Sequence, residues 1–433
     1  MARPFSLPRP SHQTSALLAG SGPLLALLTT THVVDDLYQG AVPALLPFLA
    51  LERHYSYTGL TGITLAATFL SSAVQPAFGA VTDRRRMGWL VPVGLLVAGV
   101  GVGLAGLGHS YVITWLAVAL SGVGVAAYHP EATRTARGIA GDSTQVMSWF
   151  SVGGTIGIAL APVLVSPVLL ATGLAGTPLL ALPAVLMAWL LAVRRPWRQA
   201  YVPRPARRAP GPPAGAGQPD AAQPDAAEPG APELDEVRGG EPRRDDWRGF
   251  GRLTAVVTVR SIAYFGIASL LALFVIRRFH EPTSVGSAAL TVFVAAGAAG
   301  SLAGGWLADR WGRMATIRLG YAAAVPALIL LAAAPTVGVA FVAAAGCGLA
   351  MFTPFPVQVT LGQDYLPNRI GTASGVTLGL ALSVGGLAAP LIGLLADHYG
   401  LPVTLAILAA FPAASLALSS LLREPRPDRS PAR

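Results

Sequence analysis

A single cysteine, Cys347, stands in the 433 residues, so no disulfide can form within the chain. It lies in an apolar run, where a buried packing thiol is expected in place of a nucleophile. Lysine is absent, and all 30 basic side chains are arginine. Charged residues amount to 12%, about half of what a soluble domain carries. With 53% hydrophobic positions and a mean hydropathy of +0.57, the chain has no polar skin to turn toward water. It must therefore have lipid as its solvent. The net charge of +9 raises nucleic-acid binding, but the arginines sit in short connectors and not on one soluble face, so no nucleic-acid partner is expected. Also missing are a metal-spaced His/Cys cluster, a phosphate-cradling GxxxxGK[ST] run and a nucleophile motif. That argues against an enzyme, a bound cofactor and ATP-driven transport, and leaves an ion gradient, expected to be protons, as the energy source.

A helix needs about 20 mainly apolar residues to cross the hydrocarbon core. Such runs fall near 22–49, 57–81, 88–108, 110–133, 144–171 and 175–193, and again near 253–276, 285–308, 314–334, 336–361, 371–396 and 401–422. Arg84, Arg85 and Arg86, Arg134 and Arg137, Arg310, Arg313 and Arg318, and Arg369 share one set of connectors with both basic termini. The opposite set is nearly bare, Arg277 and Arg278 excepted. The positive-inside rule then places both termini in the cytoplasm and the chain in an inner membrane. The first twenty residues are expected to be a cytoplasmic tail and not a cleaved leader, because the apolar stretch after them runs on to full span length.

Expected organisation is a tail over 1–21, a six-helix bundle over 22–193, a linker over 194–251, a second bundle over 252–422 and a tail over 423–433. The middle of the linker is Pro, Ala, Gly and acid, which cannot bury enough apolar surface to order itself, so disorder is expected there.

The two bundles repeat each other. Tyr38 and Tyr264, Gly40 and Gly266, Gly79 and Gly305, Asp83 and Asp309, Arg84 and Arg310, and Pro130 and Pro356 all lie 226 positions apart. Gly157 and Gly385, and Pro162 and Pro390, lie 228 apart. Two parallel repeats of six spans imply a transporter with its substrate site between the halves, near mid-membrane.

The run GGWLADRWGRM, 304–314, resembles the signature loop of the major facilitator superfamily, Gly-x-x-x-Asp-Arg-x-Gly-Arg. In the first copy, GAVTDRRRMG at 79–88, Arg86 takes the place of the second copy's Gly312. The resemblance implies an all-α membrane fold of about twelve helices in two pseudo-symmetric bundles. Gly79 and Gly305 are then expected to let neighbouring helices approach. Asp83, Arg84, Arg86, Asp309, Arg310 and Arg313, with Arg134, are expected to form the cytoplasmic gate. The glycine-rich fifth span with Gly157 and Pro162 resembles the exporter motif of that superfamily, and close helix packing explains the same residues. More narrowly, HVVDDLYQGAVPALLPFL from His32 and YHPEATRTAR at 128–137 resemble the fosmidomycin-resistance branch. That resemblance implies proton-driven efflux of a small anionic or drug-like compound such as a phosphonate antibiotic. Import of a small organic acid is the alternative. A monomer is expected, with the lipid bilayer and a small molecule as its partners.

Charge inside a span is costly and points to function. Asp35 and Asp36 lie near mid-depth of the first span, and since neighbours on a helix point about 100° apart, at most one of the two is expected to face the cavity squarely. They are the coupling candidates, together with His129 and Glu131 at the end of the fourth span. Glu131 is also placed to pair with Arg134. Arg260, in the seventh span, offers a planar fork either to an anionic substrate or to Asp35 or Asp36. Tyr38, Gln39, Gln75, Tyr264 and Gln358 are candidates for neutral hydrogen bonds to substrate, with interhelical packing as the competing role for each.

Overall fold

The computed structural model describes residues 12–84, 87–140, 144–193, 244–369, 372–373 and 376–425. They form helices, with no strand among the described residues. This is the outcome lipid imposes, because a helix satisfies every backbone polar group within its own segment. The first half comprises α1 (His12–Arg53), α2 (Tyr57–Arg84), α3 (Leu90–Leu104), α4 (Tyr111–Ala140), α5 (Thr144–Thr172) and α6 (Leu182–Val193), the last entered through a 3-10 turn at Leu174–Ala181. The second half comprises α7 (Trp247–Phe279), α8 (Thr283–Trp311) and α9 (Arg313–Ala332), followed by α10 (Val337–Phe352) and α11 (Phe355–Tyr365) as one bent span. A π turn at Val376–Leu380 leads into α12 (Ala381–Tyr399), and α13 (Leu401–Leu408) with α14 (Ala410–Ser419) makes the final crossing. Among the described residues nine stretches are long and apolar enough to cross a membrane, and α1, α3 and α12 complete the twelve expected rods. Large apolar side chains such as Leu302, Val342 and Leu391 stand exposed on the outside, where lipid tails would lie.

Helix ends recur between the halves. His54 after α1 and His280 after α7 both adopt left-handed backbone (φ 54° and 57°), again 226 positions apart. Gly173 and Gly400 also have positive φ, 64° and 80°, at a shift of 227. The packing repeats as well: α1 lies on α5 as α7 lies on α12, α2 on α4 as α8 on α10, and α3 on α4 as α9 on α10. Gly157 shows why α1 and α5 come so close. A Cβ there would sit 2.3 Å from the Val33 carbonyl oxygen, and its counterpart Gly385 would bring one within 2.6 Å of that of Ser261. Two further seams, α2 with α12 and α5 with α8, join the halves.

At the arginine-poor face this joint is tied by Asp397 at the end of α12. Its carboxylate accepts from the Tyr57 and Thr58 amides (2.8 and 2.9 Å) and from the Thr58 hydroxyl (2.6 Å), capping the N-terminus of α2 from the other half. Deeper, the Thr64 and Ser269 hydroxyls meet across the halves at 3.0 Å. At the arginine-rich face the ion pairs of the described residues each stay within one half.

Two expected boundaries differ. Helix α1 begins at His12, inside the expected tail, and α7 begins at Trp247, inside the expected linker. Asp246 starts α7 early because its side chain accepts from the Gly249 amide (2.8 Å) and caps the first turn. Most of the linker, 194–243, lies outside the described residues.

Candidate functional site

Each half holds one buried polar cluster. The first is built on α1 and α4. His32 and Asp36, one helical turn apart, share a face of α1, and α4 brings His129 against them. Asp36 lies 3.4 Å from His32 Nε2 through one oxygen, and its other oxygen lies 3.4 Å from His129 Nε2 and accepts from Gln39 at 3.1 Å. Asp35 approaches the same imidazole from the other side, 3.2 Å from Nδ1. His129 lies between the two carboxyls, so residues about 100° apart on α1 both reach it. His129 was expected near a helix end. It sits at mid-span because α4 runs on to Ala140, well past the expected boundary.

Asp35 is fully buried, and neither of its oxygens has a hydrogen-bond partner among the described residues. A carboxyl left so is costly unless a proton or a ligand completes it. Glycine makes room for the cluster: at Gly154 on α5 a Cβ would lie 2.2 Å from an Asp36 oxygen and 2.8 Å from His32 Nε2. His32 escaped the sequence reading, although its i, i+4 spacing from Asp36 was a usable signal. The ring stacks on Phe150, centroids 4.3 Å apart.

The second cluster is built on α7, α9 and α11. Arg260 is 1% exposed, and its guanidinium lies over the Phe355 ring at 5.4 Å. No carboxylate among the described residues is within ion-pair distance of it. Of the two uses read for Arg260, pairing with Asp35 or Asp36 is therefore not the one this arrangement adopts. Gln358 donates to the Tyr321 hydroxyl (2.6 Å), while Gln358 Oε1 and Arg260 Nε are buried without hydrogen-bond partners among the described residues. Pro354 and Pro356 explain the placement. They interrupt the helix between α10 and α11, and the bend sets Phe355 and Gln358 beside Arg260. Tyr264 is packed among Phe265, Phe293 and Phe352 on the same helix face as Arg260. Tyr321 and Phe355 had no signal in the sequence, since nothing local marks a residue that only a neighbouring helix brings near.

Other expected residues lie elsewhere. The Tyr38 hydroxyl donates to the Leu180 carbonyl and accepts from the Ala184 amide, both at 3.0 Å, so it fastens α1 to the α6 region and is not free for a substrate. Gln75 is half-buried on α2 and joins neither cluster. Glu131 forms a bidentate bond to Arg134 (2.8 and 2.6 Å), and Arg134 also donates to the Thr82 carbonyl, tying α4 to α2. Of its two readings, Glu131 takes the salt bridge. The side chains of Asp83, Arg84 and Arg86 lie outside the described residues.

In the second signature loop, Arg313 reaches Asp364 and Glu424 (3.0 Å to the latter), all within its own half. Arg310 lies over Trp306 at 5.5 Å, and Asp309 is exposed. Gly79 and Gly305 correct an expectation. A Cβ on either would meet nothing within 4 Å, because no helix crosses that face here. The close approach falls one residue earlier, at Gly304, where a Cβ would lie 2.0 Å from the Thr353 carbonyl oxygen. Gly157 does act in packing, and Pro162 sits inside α5 close behind it.

Two like six-helix halves, each with buried polar groups in its interior, have the architecture of a two-bundle membrane transporter. Residues 28–390 match the model of the Major Facilitator Superfamily, and the chain belongs to that family. It is 28% identical over 392 residues to the fosmidomycin resistance protein of Escherichia coli (strain K12), with 90% of each chain covered. It is equally 28% identical, over the same coverage, to the MFS-type transporter YfnC of Bacillus subtilis (strain 168). Among solved structures, a bacterial homolog of the human lysosomal transporter Spinster, inward-facing and occupied, superposes with a TM-score of 0.73 at 15% identity, covering 93% of this chain and 96% of that one. The nucleoside transporter NupG, as its D323A mutant, gives 0.70 at 11% identity, covering 92% and 99%. At such identities these likenesses speak for the fold.

Proposed function

We propose that the protein is a proton-coupled antiporter that exports a small anionic compound, such as a phosphonate, by alternating access between its halves. The observation that carries this reading is Arg260: a buried guanidinium that has, among the described residues, no acid within ion-pair distance and no partner for its Nε, in the same cluster as a Gln358 oxygen that also lacks a hydrogen-bond partner there. A buried cation left alone is costly, and an anion that fills the space offsets that cost. The fork of the guanidinium suits two oxygens of one phosphonate or carboxylate. Gln358 Oε1 accepts, so it fits a hydroxyl or a protonated acid oxygen of the same group.

The opposite cluster supplies the coupling. Asp35 has no hydrogen-bond partner among the described residues, and with Asp36 and His129 it forms a site able to gain and lose a proton without leaving the membrane interior. The likeness to the fosmidomycin resistance protein supports export over uptake. The arginine-rich face, in this reading, is cytoplasmic in an inner membrane, and the Asp397 tie closes the opposite face.

The test is transport in proteoliposomes with an imposed pH gradient and a labelled phosphonate. Gradient-driven movement is expected in the wild type and is expected to vanish in the Asp35→Asn/Asp36→Asn double variant. Active transport that survives in the double variant removes both acids from coupling. Accumulation on the wrong side of the gradient overturns export.

A further inference from the structure

The imidazoles of His32 and His129 are held in one particular way. His32 Nδ1 lies 2.8 Å from the Phe150 carbonyl, and His129 Nδ1 lies 2.9 Å from the Val125 carbonyl. A carbonyl oxygen only accepts, so each Nδ1 carries a hydrogen, and in the neutral ring each Nε2 presents its lone pair. Both Nε2 atoms point at Asp36, each 3.4 Å from one of its oxygens. Two lone pairs against a carboxylate repel one another unless a cation lies between them.

A shared proton is one such cation, but a charge-assisted N–H···O bond closes to about 2.7–2.9 Å. The observed 3.4 Å is long for that. It matches another geometry. Bonds of about 2.0–2.2 Å from zinc to nitrogen and oxygen, arranged tetrahedrally, place neighbouring ligand atoms about 3.4 Å apart. The three donors lie within 4.8 Å of one another, so small side-chain rotations would bring them onto one ion. Each histidine also has what a metal ligand ordinarily has, its second nitrogen anchored to a backbone carbonyl. Asp35 stands on the far side of the His129 ring, 3.2 Å from Nδ1, and is not one of the three donors. No spacing motif marks such a site, because its ligands come from two helices far apart in the chain.

We infer that His32, Asp36 and His129 form a binding site for a divalent transition metal of the zinc class, bridging α1 and α4. The chemistry of the donors, two imidazoles and one carboxylate, suits zinc better than magnesium or calcium, which prefer oxygen throughout. An ion there ties the first helix to the fourth and occupies the donors assigned to coupling, so zinc acts as an inhibitor of the transporter.

The test reads binding and is therefore independent of cargo and direction. The purified full-length protein, free of any histidine tag, is dialysed against labelled Zn2+, and Co2+ is used as a spectroscopic substitute. One saturable ion per chain is expected, with a visible Co2+ spectrum of tetrahedral N/O ligation and a rise in Tm on adding Zn2+. His32→Gln and His129→Gln should each weaken binding at least about tenfold, whereas His398→Gln, at a distant exposed position, should not. The wild-type spectrum and Tm shift keep the inference testable even if a variant folds poorly. Absence of saturable binding by the wild type overturns it. So does stoichiometric binding that persists when both histidines are replaced.

Discussion

Removing the Asp397 carboxylate tests whether the arginine-poor face is held shut by the bonds seen there. The side chain receives three hydrogen bonds from the start of α2, at 2.8, 2.9 and 2.6 Å, and all cross from one half to the other. Each would be strong if buried, but the site is exposed and water competes, so about 0.5–1 kcal/mol apiece is the appropriate scale. Part of this returns as water caps the freed amides, leaving about 1.4–2 kcal/mol for Asp397→Ala, close to the cost of losing a helix cap. The bonds exist only while this face is closed. Their loss should therefore shift the equilibrium toward opening about 10- to 30-fold. Thr61, fully buried beside Gly393 at the same seam, is a suitable reporter. In a Thr61→Cys background, maleimide labelling should be about tenfold or more faster with Asp397→Ala than without it, and intermediate with Asp397→Asn, which keeps an acceptor but not the charge. The native Cys347 is buried and contributes little background. Equal labelling rates in folded protein would refute the assignment of Asp397 as the tie.

Further outcomes follow from the packing. Tyr38→Phe leaves the Ala184 amide and the Leu180 carbonyl without partners in the interior, so it should cost about 1–3 kcal/mol of stability, seen as a lower Tm, with substrate affinity unchanged. Gly304→Ala should lower Tm, since its Cβ meets the Thr353 backbone at 2.0 Å and must push α8 from α10, at about 1–3 kcal/mol; Gly305→Ala, one residue on in open space, should leave Tm as it was. Arg260→Lys keeps the charge but loses the planar fork. It should weaken phosphonate binding at least about tenfold in a direct binding measurement, and equal affinity would argue against two-pronged recognition.

Much of this architecture is written locally. Apolar runs of span length specify helices, because in lipid a helix alone satisfies its own backbone. The fixed shift between Tyr38 and Tyr264 or Asp83 and Asp309 declares two like halves. Charge in an apolar run singles out Asp35, Asp36 and Arg260, whose burial costs would not be tolerated without a use. The site itself is less legible. Tyr38 reads as a cavity residue, and its neighbours on α6 make it a fastener. Gly305 reads as a contact, and the contact belongs to Gly304.

The solvent, the number of rods, the repeat and the few charges that have to be compensated are legible in the chain, since each depends on a residue and its chain neighbours. Which group compensates which is settled by the packing of one helix on another. His129 comes between Asp35 and Asp36, His32 turns its free nitrogen toward Asp36, and Arg260 is left without an acid. Those relations join helices separated by many residues, and they rest on rotation and depth, which hydrophobicity does not encode. His129 lies well inside α4, which continues to Ala140, and the packing of α4 on α1 sets it between the two carboxyls.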